Sequence, residues 1–168
     1  MIKNKLIYLS LGSNLGNRLK NLKRALELLQ LRIGVIKKTS SIYETKSVGF
    51  VGQDFLNLCV SIETNFSPKK LLEELLGIEI LMGRIKTNIR NLESRKIDLD
   101  ILFYGNEIIV TEELKIPHPR LENRNFVLYP MQEIAPDLIH PGLKIKINFL
   151  LKNSSDNYIP LKLKIKAS

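Results

Sequence analysis

The sequence predicts an α+β fold of the ferredoxin-like class, an antiparallel sheet with packed helices. Two observations carry this. Two segments repeat apolar residues at three- and four-residue spacing, and the stretches around them alternate or run apolar with the period of strands. Their order along the chain is strand, helix, strand, strand, helix, strand, then additions, which is the split βαβ pattern.

Each element has its own signal. KLIYLSLGSN is an apolar strand closed by the turn residues Gly12, Ser13 and Asn14. From Asn17 to about Arg32, Leu19, Leu22, Leu26 and Leu29 mark an amphipathic helix. VIKKTSSIYET alternates as one strand with a polar face, and SVGFVGQ begins a loop. FLNLCVSIETN is the next strand, with Phe55, Asn57, Cys59 and Ser61 on one face and Leu56, Leu58, Val60 and Ile62 on the other. Ser67 and Pro68 are an N-cap and a first-turn proline. Leu71, Leu72, Leu75, Leu76 and Ile80 form the stripe of the helix that follows, and Gly83 ends it. The basic segment RIKTNIRNLESR leads into a strand at DLDILFYG, and GNEIIVTE reads as a hairpin turn with its return strand. KIPHPRLENRNFVLYP is a proline-rich loop running into a short helix. The tail LKLKIKAS alternates like a strand or a solvated end.

With 168 residues, 44% hydrophobic and 26% charged, one domain over 1–168 with a substantial core is expected. No apolar run approaches the roughly 20 residues of a membrane span. The N-terminal segment reads as a strand and not a signal peptide, because it lacks a long apolar core and a small-residue cleavage site. The single Cys59 excludes an intramolecular disulfide framework and a multi-cysteine zinc site, so a cytoplasmic protein is expected. The net charge of +9 suggests an anionic partner (nucleic acid, an acidic membrane surface or a polyphosphate), although a lysine-rich composition alone would also produce it.

The chemistry concentrates in SRKIDLDILFYG. Residues i and i+2 of a strand share a face, so Asp98 and Asp100 project together, opposite Ile97, Leu99 and Ile101. Their Cβ atoms should lie about 6.5 to 7 Å apart. Two unpaired carboxylates repel, and a cation resolves this; two hard oxygen ligands suit magnesium held together with a substrate phosphate. The alternative is a pair of exposed aspartates bridged to Arg95 or Lys96. Arg84, Lys86, Arg90 and Arg95 precede this strand, and Arg120 and Arg124 follow it. Carboxylates ringed by guanidinium groups are the requirements of phosphoryl transfer. No Walker-type or kinase-type glycine loop is present.

SLGSNLGNRLKNL, SSIYET, DFLNLCVSIET, LLEELLGIEILMGR, SRKIDLDILFYGNEII and IPHPRLENRNFVLYPMQEIAPDLIHP occur in this order over roughly residues 5 to 142. In them the chain resembles the 6-hydroxymethyl-7,8-dihydropterin pyrophosphokinases of folate biosynthesis. The resemblance implies a ferredoxin-like fold and transfer of pyrophosphate from ATP to the pterin hydroxymethyl group, with AMP as the other product. It implies that Asp98 and Asp100 bind two magnesium ions and that Arg84 and Arg95 contact the triphosphate around transfer. It places Lys86 and Arg90 in a mobile loop over ATP, and Glu79, His118 and Arg124 at nucleotide-contacting positions. Phe55 and Phe126 match the aromatic pair around the pterin ring, Asn57 its hydrogen-bonding amide, and Thr45 and Val48 backbone contacts to its edge. RNLESR lacks the Gly-Pro or Ala-Pro common in the family before the arginine that precedes DLD, and Phe55 stands where tyrosine is frequent.

A monomer acting on the small molecules ATP and pterin is therefore expected, with neither nucleic acid nor membrane as partner. The rival is an RNA-binding module on the same fold. It requires aromatics at alternate positions of central strands, where this chain has Asp98 and Asp100, and carboxylates repel phosphate unless metal intervenes.

Overall fold

The computed structural model describes residues 4–47, 51–84 and 94–167. In chain order these form β1 (Lys5–Ser13), α1 (Arg18–Arg32), β2 (Val35–Thr39), β3 (Tyr43–Thr45), β4 (Phe55–Thr64), α2 (Pro68–Leu81), β5 (Asp98–Tyr104), β6 (Ile109–Val110), β7 (Lys115–Ile116), a single 3-10 turn (Leu121–Asn123), α3 (Asn125–Ile134), α4 (Ile147–Lys152) and β8 (Leu161–Lys162). The main sheet has the order β5-β1-β4-β3-β8, with β2 also on β4, and its pairs are antiparallel. That is the ferredoxin-like arrangement the strand and helix order predicts. Among the described residues no helix is long and apolar enough to cross a membrane.

α1 and α2 begin at side-chain caps. Asn17 accepts the Lys20 amide at the head of α1, and Ser67 accepts that of Lys70 ahead of Pro68 at the head of α2. Gly83, at φ 104°, follows α2 in a conformation that disfavours a side chain.

Alternation divides the sheet into two faces. Ile7, Leu9, Leu11, Leu58, Val60, Ile62, Leu99 and Ile101 meet Leu22, Leu26 and Leu29 of α1 and Leu71, Leu75 and Ile78 of α2. On the other face, Tyr8, Cys59, Leu102 and Phe103 meet Val127, Leu128, Met131 and Ile134 of α3 and Ile147 and Leu150 of α4. A register shift between Tyr8 and Leu9 skips Leu102 on β5, which is why adjacent Leu102 and Phe103 both reach this second cluster.

Three expectations need correction. VIKKTSSIYET is two strands rather than one. The chain leaves the ladder at Ser40, whose amide donates to Cys59 O while its hydroxyl accepts the Cys59 amide, so side chain replaces backbone at the break. The return strand after Gly105 does not pair with β5; β6 pairs with β7 as a separate ribbon, because the Gly105 amide is bonded to Leu6 O of β1 and the turn closes against that strand. The α2 stripe is narrower than predicted. Leu71, Leu75 and Ile78 are buried, whereas Leu76 and Ile80 are exposed, and the polar Glu79 is buried in their place.

Candidate active site

One line of residues crosses the sheet. Asp98 of β5 is opposite Gly12 of β1, Gly12 is opposite Asn57 of β4, and Asn57 is opposite Tyr43 of β3. Two strand spacings separate Asp98 from Asn57, about 10 Å. The next line is Asp100, Ser10 and Cys59. Between the aspartate and the amide stands buried Gly12, where a side chain would crowd the amide. A Cβ on Gly12 would lie 3.1 Å from Asn57 Oδ1 and 3.6 Å from Phe55 Cδ1.

At the β4 end, buried Asn57 donates from Nδ2 to Thr45 Oγ1 at 2.8 Å, leaving its carbonyl directed towards the Gly12 floor. Thr45 is opposite Phe55, which is half-buried at the start of β4. Three of the residues matched to the pterin, Thr45, Phe55 and Asn57, are thus brought together. Phe126, in the first turn of α3, packs on the second core, and the Arg124 guanidinium lies over its ring at 5.6 Å. Val48 is outside the described residues.

At the β5 end, Asp98 and Asp100 keep 35% and 41% of their side chains accessible. Arg95 Nη1 donates to Asp98 Oδ1 at 2.8 Å, so the bridge offered as an alternative to a metal site does form. It leaves Asp100 without that cation. Crowding by the protein and the negative charge of Asp98 push the Asp100 carboxyl up to about 6, against the pull of Arg124, Arg95 and Arg84. His118 Nε2 stands 4.0 Å from Asp100 Oδ2. Burial and the charge of Arg124 lower the pKa of this imidazole, and its buried Nδ1 has no hydrogen-bond partner among the described residues.

Glu79 is 1% exposed. Its Oε1 accepts the Leu99 amide of β5 at 2.8 Å, and its Oε2 pairs with Arg84. Burial and the charge of Asp98 raise its carboxyl to about 7. In this structure both oxygens are engaged with the protein, joining α2 to β5 and holding Arg84 at the foot of the helix. Lys86 and Arg90, and with them the closure expected of their loop, lie outside the described residues.

Sequence reasoning left Asn14 as a turn residue. Its side chain is fully buried and grips Arg95 by the backbone. Arg18 was also missed: it donates to Glu44 and to Asp54 O at 2.6 Å, fastening the residue before Phe55 to α1. Partners so far apart in the chain leave no local pattern to read.

The donor set fits magnesium. Among the described residues no group of three or more His, Cys, Asp or Glu is placed to hold a metal. Two adjacent carboxylates on one strand face provide a hard, incomplete ligand set, of the kind that phosphate oxygens and water complete.

A family model described as 7,8-dihydro-6-hydroxymethylpterin-pyrophosphokinase (HPPK) matches residues 8–136. The chain belongs to the HPPK family. It is similar to the 2-amino-4-hydroxy-6-hydroxymethyldihydropteridine pyrophosphokinase of Haemophilus influenzae, at 45% identity over 152 residues, 89% of this chain and 93% of that one. The Aquifex aeolicus protein of the same name is 43% identical over 136 residues, covering 80% and 83% of the two chains. The folic acid synthesis protein fol1 of Pneumocystis carinii is 45% identical over 151 residues, 88% of this chain but only 20% of that protein. The chain therefore spans most of its bacterial relatives and about a fifth of the fungal one. A Plasmodium falciparum HPPK-DHPS triple mutant crystallised with STZ-DHP superposes with a TM-score of 0.73 at 20% identity, over 89% of this chain and 43% of that one, and supports the fold. As a member of the HPPK family the chain is an ATP-dependent pyrophosphokinase of folate biosynthesis.

Proposed function

We propose that the protein transfers pyrophosphate from ATP to 6-hydroxymethyl-7,8-dihydropterin across the Asp98–Gly12–Asn57 line. The observation that carries this reading is the line itself: the carboxylate end and the amide end share one face, with only a glycine between them. Asn57, with one donor engaged by Thr45, presents its carbonyl to the heterocycle, and Phe55 and Phe126 supply apolar ring faces. The hydroxymethyl oxygen loses its proton and bonds to the β-phosphorus. The bridging α–β bond breaks, and its electron pair leaves on AMP.

Asp98 and Asp100 would hold magnesium, two ions in this reading, which when bound supplies charge neutralisation at the phosphate oxygens. Asp100 is also a candidate proton acceptor. Arg84 and Arg95 stabilise charge as it moves, with Arg124, His118, Lys86 and Arg90 assigned to the nucleotide. Glu79 joins that set through Arg84. We read residues 1–168 as one domain, working as a cytoplasmic monomer; the single buried Cys59 thiol fits a reducing compartment.

The test is the product. Purified protein with magnesium, ATP and the reduced hydroxymethylpterin should release AMP in step with pterin diphosphate. Release of ADP in its place would replace this reading with that of an ordinary kinase.

A further inference from the structure

β1 and β5 stop pairing at Gly12–Asp98, yet the chain before β5 is still fastened to the end of β1. The Asn14 amide donates to Arg95 O at 3.0 Å, its Oδ1 accepts the Arg95 amide at 2.7 Å, and its Nδ2 reaches Ser94 Oγ at 3.4 Å. One asparagine thus satisfies both backbone groups of Arg95 and adds a rung beyond the ladder. From that fixed backbone, the Arg95 side chain returns three residues forward to Asp98 at 2.8 Å. Both partners of this ion pair are about one-third exposed, at 35% each, and an exposed pair of this kind is too weak to fix an arginine by itself.

We propose that Asn14 is a positioning residue for Arg95. It holds the backbone while the guanidinium exchanges Asp98 for phosphate as substrate arrives. Burial is what makes the grip effective. At 0% exposure the Asn14 side-chain amide meets no competing water, and losing it would strand the Arg95 N–H, while the backbone bond to Arg95 O remains. Asn14 touches no reacting atom, and the inference rests on the role proposed above for Arg95.

A double-mutant cycle tests it. Asn14→Ala should lower kcat roughly 10- to 100-fold, the scale of a displaced catalytic group. The dissociation constants of pterin and of a non-hydrolysable ATP analogue should change much less. Asn14→Asp, which retains the acceptor for the Arg95 amide, should recover most of kcat. In an Arg95→Ala background, Asn14→Ala should cause no further loss, because Asn14 acts only through the guanidinium already removed. If Asn14→Ala does not fold, Asn14→Ser takes its place in the cycle, since its shorter side chain lacks the carboxamide and should give the same kcat loss. Losses that multiply in the double variant, or normal kcat when only Asn14 is changed, would overturn the inference and leave Arg95 in its role. Full turnover by Arg95→Ala would remove that role and this inference together.

Discussion

The two faces of the sheet are made from alternating residues of the same strands, yet they answer to different constraints. On one face Leu9, Leu11, Leu58, Val60, Leu99 and Ile101 are sealed by α1 and α2. On the other, α3 and α4 pack on Tyr8, Cys59, Leu102 and Phe103, while the end carrying Asp98 and Asp100 remains accessible. The sealed face is specified by volume and apolar area, and its residues hold the fold. The accessible end carries two carboxylates side by side, which the fold alone has no use for. Residues that oppose stability in this way mark a site shaped by what binds there.

Substitutions can break this contrast. The largest effect is expected from Asp98→Ala or Asp100→Ala. Turnover should fall by about a thousandfold or more, several kcal/mol of transition-state stabilisation, while the melting temperature holds or rises. AMP release and thermal unfolding check this together, and near-full activity would end the assignment to metal. Leu58→Ala, on the sealed face of β4, should do the reverse: a loss of about 2–5 kcal/mol in denaturant unfolding, with kcat per folded molecule little changed.

Phe55→Ala and Phe126→Ala sharpen the contrast, because these rings are half-buried and lie between the two regimes. Each should weaken pterin binding by about 1–3 kcal/mol, measured by calorimetry, and spare the ATP analogue. Equal loss of both ligands with a lowered melting temperature would return the rings to the core.

The smallest effect concerns pH. The Asp100 carboxyl is raised from 3.8 to about 6, so the fold favours its protonated form and ionisation works against stability as pH rises through that window. Asp100→Asn should therefore melt slightly above the metal-free wild type at pH 7.5. That advantage should shrink as pH falls through 6 and vanish near 4. A difference independent of pH would show that Asp100 ionises without hindrance.

How much of this was legible in the sequence depends on how far apart the partners stand. Helix caps, the period-two faces of β4 and β5 and the shared face of Asp98 and Asp100 are local facts, and they were readable. The break in VIKKTSSIYET was not, because it depends on Ser40 finding Cys59 19 positions later. Glu79 is a charged residue between Ile78 and Ile80 and looks solvated. Only the Leu99 amide, 20 residues on, reveals that it faces inward. Asn14 is the extreme case: its role exists only through a residue 81 positions away. The familiar order of segments named a candidate site, but it did not separate residues open to a ligand from those, like Glu79 and Asn14, already engaged with the protein.

The strand order also has a consequence for synthesis. β1 lies between β4 and β5, so the first strand made has its two edges paired by residues 55–64 and 98–104. A growing chain carries Leu9 and Leu11 with neither neighbour until β4 emerges, and with only one until β5 does. Long loops must close before either pairing forms, and unpaired strand edges in the meantime attract other chains. Nascent chains arrested short of Tyr104 should therefore remain protease-sensitive throughout, and resistance should arise in one step once β5 clears the ribosome.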